Sequence, residues 1–139
     1  MKTVLANCTV IDYTGAGPRR NMTVVIDRNR ISAIRPWPHA SADHHGGARV
    51  FDLDGGYVLP GLWDVHSHLG GLFPDARHIQ AKESVLDFAI RAGRDGTDAL
   101  RAGITGMRVV GHRGGIDIAW KRAFDTGAWL GPRLFVSGE

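Results

Sequence analysis

The pattern of this 139-residue chain changes at Pro60-Gly61, and that change limits the folds open to it. Before it, short β-favouring runs follow one another closely. Residues 2–11 alternate like a strand, Thr14-Gly15-Ala16-Gly17-Pro18 is a turn cluster, and Thr23-Val24-Val25-Ile26-Asp27 is a second strand. Asp27-Arg28-Asn29-Arg30 reads as a hairpin turn into Ile31-Ser32-Ala33-Ile34. Residues 36–48 read as an exposed loop, and Val50–Leu53 and Tyr57–Leu59 as two more short strands around Asp54-Gly55-Gly56. Strands this short and this close predict a small sandwich or partial barrel over residues 1–60.

After Pro60-Gly61 the period alternates between strand and helix. Residues 62–69 predict a buried strand. From about Glu83 to Ala102 the spacing is helical, with Val85, Ala89, Ala92, Gly96 and Ala99 recurring at steps of four and three. Gly93 and Gly96 weaken that helix and permit close packing against a sheet. Gly103 is a natural C-cap, 104–111 a second strand, 116–127 a second helix and 132–138 a third strand. Strand, helix, strand, helix, strand is the signature of a parallel α/β arrangement over 61–139. Three strands do not close a barrel.

Composition narrows the function classes. A chain 43% hydrophobic and 22% charged, with four tryptophans, is ordinary globular material. Its net charge of +3 comes from scattered Arg and Lys, so no clustered basic face predicts nucleic-acid binding. Cys8 is the one cysteine, which excludes an internal disulfide, fits a reducing compartment and reads as a small buried residue. The opening Met1-Lys2-Thr3-Val4-Leu5 carries no sustained apolar stretch, and nothing approaches the length of a membrane span. The expectation is a cytoplasmic protein with no membrane partner.

The residues that carry chemistry stand on the strand at 62–69. His66 and His68, one residue apart, project to one face of an extended strand with Cβ atoms about 6.5–7 Å apart. Imidazoles at that spacing can share one ion at the ~2.0–2.1 Å of a zinc–nitrogen bond. Asp64, two residues earlier, is expected on the same face, to orient a histidine or touch the metal. Leu62, Trp63, Val65 and Leu69 are apolar, as a strand buried on both faces requires. A bare His-x-His is a weak signal, strengthened here by the Pro60-Gly61 turn before it and Gly70-Gly71 after it.

The run Gly56-Tyr57-Val58-Leu59-Pro60-Gly61-Leu62-Trp63-Asp64-Val65-His66-Ser67-His68 resembles the metal-dependent amidohydrolase superfamily, particularly its imidazolonepropionase-like and prolidase-like branch. So do Ala102–Arg108 and Gly131–Gly138, and Val4–Asp12 is similar to that family's opening strand. The resemblance covers nearly the whole chain, and Pro-Gly-x-x-Asp-x-His-x-His is its most specific part. It implies an α/β fold: the start of a (β/α)8 TIM-type barrel, about three of its eight strands, at 61–139, preceded by part of a small β-sandwich at 1–60. The active site of such a barrel lies at the carboxyl-terminal ends of its strands. His66 and His68 would be first-strand ligands of the more buried metal, with Asp64 supporting them from outside the ligand set. Arg108 matches an arginine at the end of the family's second barrel strand, facing substrate. The residue after it is commonly aspartate in the family, and here it is Val109.

The same resemblance implies a divalent metal, zinc first, as one or two ions in the complete enzyme; manganese, iron and nickel also suit such ligands. The family completes its site with a carboxylated lysine or equivalent bridging acid, two further histidines and an aspartate base from later strands. Lys2, Lys82 and Lys121 all precede the third strand, so none takes the bridging role. The implied function is hydrolysis of amide or cyclic C–N bonds in a small amide or dipeptide-like substrate. This chain would be the amino-terminal portion of such an enzyme, inactive alone. Two alternatives stay open: a non-catalytic scaffold, or a part-protein completed by another chain or by copies of itself as a homo-oligomer.

Other polar residues are weaker candidates. His44-His45 has no carboxylate or cysteine beside it and reads as a solvated loop. His78 and His112 follow the first and second barrel-type strands, at the end where side chains can face substrate; His78 reads first as a surface residue, and a substrate-side role is open to His112. Glu139 follows the third strand, either pointing into a barrel mouth or frayed as a terminus. Gly15-Ala16-Gly17 is too short for a phosphate loop, and Asp52-Leu53-Asp54-Gly55 lacks the downstream glutamate of a calcium loop.

Overall fold

The computed structural model describes residues 1–38, 47–71 and 82–138. His44, His45, His78 and Glu139 lie outside the described residues. The chain divides into two compact units, Met1–Pro60 and Gly61–Glu139.

In the first unit, strands β1 (Lys2–Val10), β2 (Arg19–Asp27), β3 (Arg30–Pro36), β4 (Arg49–Asp52) and β5 (Tyr57–Val58) build one mixed sheet. β1 is central. It runs antiparallel to β2, parallel to β4 along its first half, and parallel to β5 at its far end. Because β4 and β5 both return to β1, the described residues form a single five-stranded sheet, where the spacing had predicted a sandwich or partial barrel. A bulge between Leu5 and Cys8 sets two residues of β1, Ala6 and Asn7, against one of β2, Thr23, with Asn7 at φ 52°. The extra residue switches the buried face of β1. Val4 and Ala6 pack with Val25, Ala33, Trp37 and Ala48, whereas Cys8 and Val10 pack with Met22, Val24, Leu53 and Val58. Cys8 is fully enclosed, its thiol donates to the Met22 carbonyl at 3.2 Å, and burial pushes its pKa up. It is a packed core residue and not an activated thiolate. Asp12 closes the β1–β2 turn by accepting from the Thr14 hydroxyl at 2.7 Å and pairing with Arg19 at 3.1 Å.

In the second unit, β6 (Leu62–Ser67), β7 (Ile104–Val109) and β8 (Arg133–Val136) form a parallel sheet in chain order. Helices α1 (Val85–Arg101) and α2 (Ile116–Asp125) connect them, with a 3-10 turn at Arg113–Gly115 before α2. α1 starts at Ser84, whose hydroxyl accepts from the Asp87 backbone N–H at 3.1 Å and donates to the Asp87 carboxylate at 2.6 Å. It ends at Gly103, where φ of +93° suits only glycine comfortably. The helix buries Ala92, Gly93 and Gly96, while Val85, which shares their helical spacing, is 67% exposed. The core joins Leu69, Ala92, Met107, Val109, Ile116 and Leu134, with Phe88, Trp120 and Phe124 packed against it.

That core lies on one face of the sheet. The expectation that β6 is buried on both faces fails: Trp63 and Val65 are 52% and 64% exposed, and Ser67 and Leu69 alone of residues 62–69 are buried among the apolar side chains. The reason is geometric, since the helices cover one face of an open three-stranded sheet and leave the other uncovered. Trp63 lies across Gly106 on that open face, where a Cβ at Gly106 would meet the indole at 2.5 Å, and it packs on Phe135 at 5.3 Å.

Candidate functional site

Parallel strands bring their carboxyl ends to one edge of the sheet. The Val110 N–H donates to the Ser67 carbonyl at 3.1 Å, and the Ser137 N–H to the Val109 carbonyl at 3.2 Å. His66-Ser67-His68, Gly111-His112 and Ser137 therefore meet at that edge.

The two histidine rings lie 5.6 Å apart, centroid to centroid, inclined at 65°. Both side chains are exposed, while Ser67 between them is buried and pairs in register with Val109 of the helix-side core. The two rings meet at the carboxyl end of β6, where His68 lines a cavity together with Phe88 of α1 and Ile116 of α2. Asp64 stands apart from them. It pairs in register with Met107, another residue of the helix-side core, because β6 fits three steps from Asp64 to Ser67 against two from Met107 to Val109. The extra residue breaks the period-two alternation on which the same-face expectation depended. Asp64 instead accepts the His66 backbone N–H on Oδ1 at 3.0 Å, so its carboxylate fixes the main chain of the bulge.

His68 Nδ1 lies 3.4 Å from the Gly111 carbonyl. A carbonyl there accepts an N–H, which puts the proton on Nδ1 and leaves the Nε2 lone pair for a ligand; metal-binding histidines are commonly held this way. The donor set suits a divalent ion in kind, since neutral imidazole nitrogens bind zinc, copper, iron and nickel. In number it falls short. No group of three or more His, Cys, Asp or Glu is placed to hold an ion among the described residues.

Arg108 stands on β7 beside the pair. It registers with Phe135, and its Nη1 donates to the Val65 carbonyl at 3.3 Å while the side chain stays exposed on the uncovered face. His112 is held differently: Nε2 donates to the Leu69 carbonyl at 2.6 Å, and Nδ1 is buried with no hydrogen-bond partner among the described residues. Nothing in the sequence drew attention to the cluster behind it. Phe88 packs on the His112 ring at 5.0 Å, Arg91 lies 5.0 Å over Phe88, and Glu83 holds Arg91 by two bonds of 2.9 and 2.5 Å. Glu83 and Arg91 are eight residues apart, which is not a helix-pair spacing, so no local rule marks them.

Comparison with solved structures gives this geometry a family. Over its whole length the chain matches a Xaa-Pro dipeptidase solved with methionine in its active site, at 30% identity and a TM-score of 0.88. It matches equally completely a prolidase complexed with N-methylphosphonate-L-proline (29%, 0.82) and a structure described as an amidohydrolase (27%, 0.80). The chain belongs to the amidohydrolase superfamily. It spans 34%, 32% and 32% of those three chains, and corresponds to an amino-terminal portion of such an enzyme. No family model and no curated protein matches this amidohydrolase sequence.

Proposed function

We propose that this chain is the metal-anchoring amino-terminal part of a hydrolase that cleaves amide or cyclic C–N bonds, with dipeptide-like substrates favoured. The observation that carries the reading is the histidine pair: two imidazoles 5.6 Å apart at the carboxyl end of the first strand of a parallel α/β unit. The matched prolidase and Xaa-Pro dipeptidase support the substrate class. In this reading 61–139 begins a TIM-type barrel and 1–60 is part of its flanking β domain.

His66 and His68 would hold a divalent ion, zinc foremost. When bound, such an ion polarises a carbonyl and lowers the pKa of a bound water toward ~7. The chain's own residues do the remaining work described here. Asp64 fixes the main chain at His66, the Gly111 carbonyl selects the His68 tautomer, and Arg108 offers a cation on the open face to substrate. Two ligands are one short of the three protein ligands of catalytic zinc sites, so the chain alone binds metal weakly and turns nothing over. A second reading, completion of the sheet by another chain or copy, is favoured by the uncovered apolar face bearing Trp63, Val65 and Phe135.

The test is residue-resolved NMR of the purified chain with added Zn2+, alongside an assay for proline release from a Xaa-Pro dipeptide. Signals of His66 and His68 are expected to shift together, His66→Ala to abolish the shift at His68, and no proline to appear. Unmoved histidine signals overturn the metal assignment, and turnover by the chain alone overturns its incompleteness.

A further inference from the structure

The main chain behind the histidine pair is tied down carbonyl by carbonyl. The Ser67 carbonyl accepts from Val110 N–H at 3.1 Å and the His68 carbonyl from Gly71 N–H at 3.1 Å. The Leu69 carbonyl accepts from His112 Nε2 at 2.6 Å, and the Gly70 carbonyl from the Arg91 guanidinium. Two of these four ties come from side chains that neither bind the pair nor share its strand.

His112 is the shorter route back to the site. Its neighbour Gly111 supplies the carbonyl facing His68 Nδ1. One residue thus fixes both ends of a small loop of contacts: its ring holds the residue after His68, and its adjoining peptide meets the His68 ring. The imidazole is itself fixed by the Phe88 face, which Arg91 covers from its other contacts and Glu83 secures. With Nδ1 enclosed and Nε2 engaged, the ring has no free polar atom to offer a substrate.

We propose that His112 is a positioning residue for the histidine pair: its Nε2–H bond to the Leu69 carbonyl holds Gly111 against His68 and keeps the His68 Nε2 lone pair pointed outward. This rests on the reading of His66 and His68 as metal ligands and replaces the substrate-facing role expected of His112. A purely structural His112 would support folding without biasing the His68 tautomer.

Nitrogen NMR of the chain at about pH 8, above the ordinary histidine range, reads proton positions directly. Without metal, His68 is expected to carry its proton on Nδ1 and His112 on Nε2. His112→Leu is expected to mix the His68 tautomers and weaken Zn2+ binding at the pair about tenfold or more, as loss of an outer partner does. His112→Gln, whose amide also donates to the Leu69 carbonyl, is expected to retain the tautomer and most of the affinity. A folded His112→Leu with the original tautomer and affinity overturns the proposal. Should His112→Leu not fold, mixed His68 tautomers in the unsubstituted chain, or in folded His112→Gln, overturn it equally. A fixed His68 tautomer with no Zn2+ response at either histidine instead overturns the metal reading and leaves the positioning contact standing.

Discussion

A Cβ added at Gly93, in the middle of α1, would overlap the Trp120 indole, whose Nε1 donates to the Ala89 carbonyl at 2.7 Å on the same helix. Helix propensity alone favours alanine over glycine there by about 1 kcal/mol. Overpacking a filled site costs typically about 1–3 kcal/mol, and this ring is anchored by its hydrogen bond and cannot swing away cheaply. Gly93→Ala is therefore expected to destabilise the chain by about 1–2 kcal/mol in urea unfolding, and to become neutral or stabilising in a Trp120→Leu background. An unchanged midpoint in the parent background would contradict the close approach. The sequence marked Gly93 as a packing glycine but suggested a sheet as its neighbour. The partner is an aromatic of α2, and no single-helix pattern carries that information. The histidine pair shows the complementary case. The nearness of its two rings follows from their spacing of two along one strand end and is legible, whereas the face of Asp64 depends on how β6 registers against β7 some forty positions later.

At the scale of elements, the strand and helix sequence of residues 61–138 was legible because each run carries its own period and its own stop, such as Gly103 after α1. Burial was not. Val85 falls off the buried stripe and β6 is open on one face, since exposure depends on which elements stand opposite. The Glu83–Arg91 pair is likewise invisible locally, and it ties the segment before α1 to the helix itself. Both side chains are almost enclosed, and the Arg91 hydrogen bond holds the Glu83 carboxyl below the ordinary carboxylate range. A lowered folded pKa means the stabilisation is complete above the unfolded value, about 4.3 for glutamate, and is lost as pH falls through the lower folded value. Wild type is thus expected to unfold at higher temperature than Glu83→Gln near neutrality, with the gap closing in acid below about pH 4. A gap independent of pH would show that the variant acts through packing and not through the ion pair.

For the whole molecule, the decisive quantity is apolar surface left without a second layer. Sheets bury their apolar faces against another layer, and the helices supply one layer to the second unit. On the other face Trp63, Val65 and Phe135 stand largely exposed, between edges of β6 and β8 that have no partner strand among the described residues. Contiguous apolar surface beside open strand edges drives association. The purified chain is expected to exceed its monomer mass by light scattering at concentrations of about 10–100 μM, and to bind a hydrophobic dye. The pair Val65→Lys and Phe135→Lys places two charges on that face without touching the helix-side core, and is expected to return the mass to that of a monomer. If the unsubstituted chain stays monomeric across that range and excludes dye, the open face is not a site of completion by another copy.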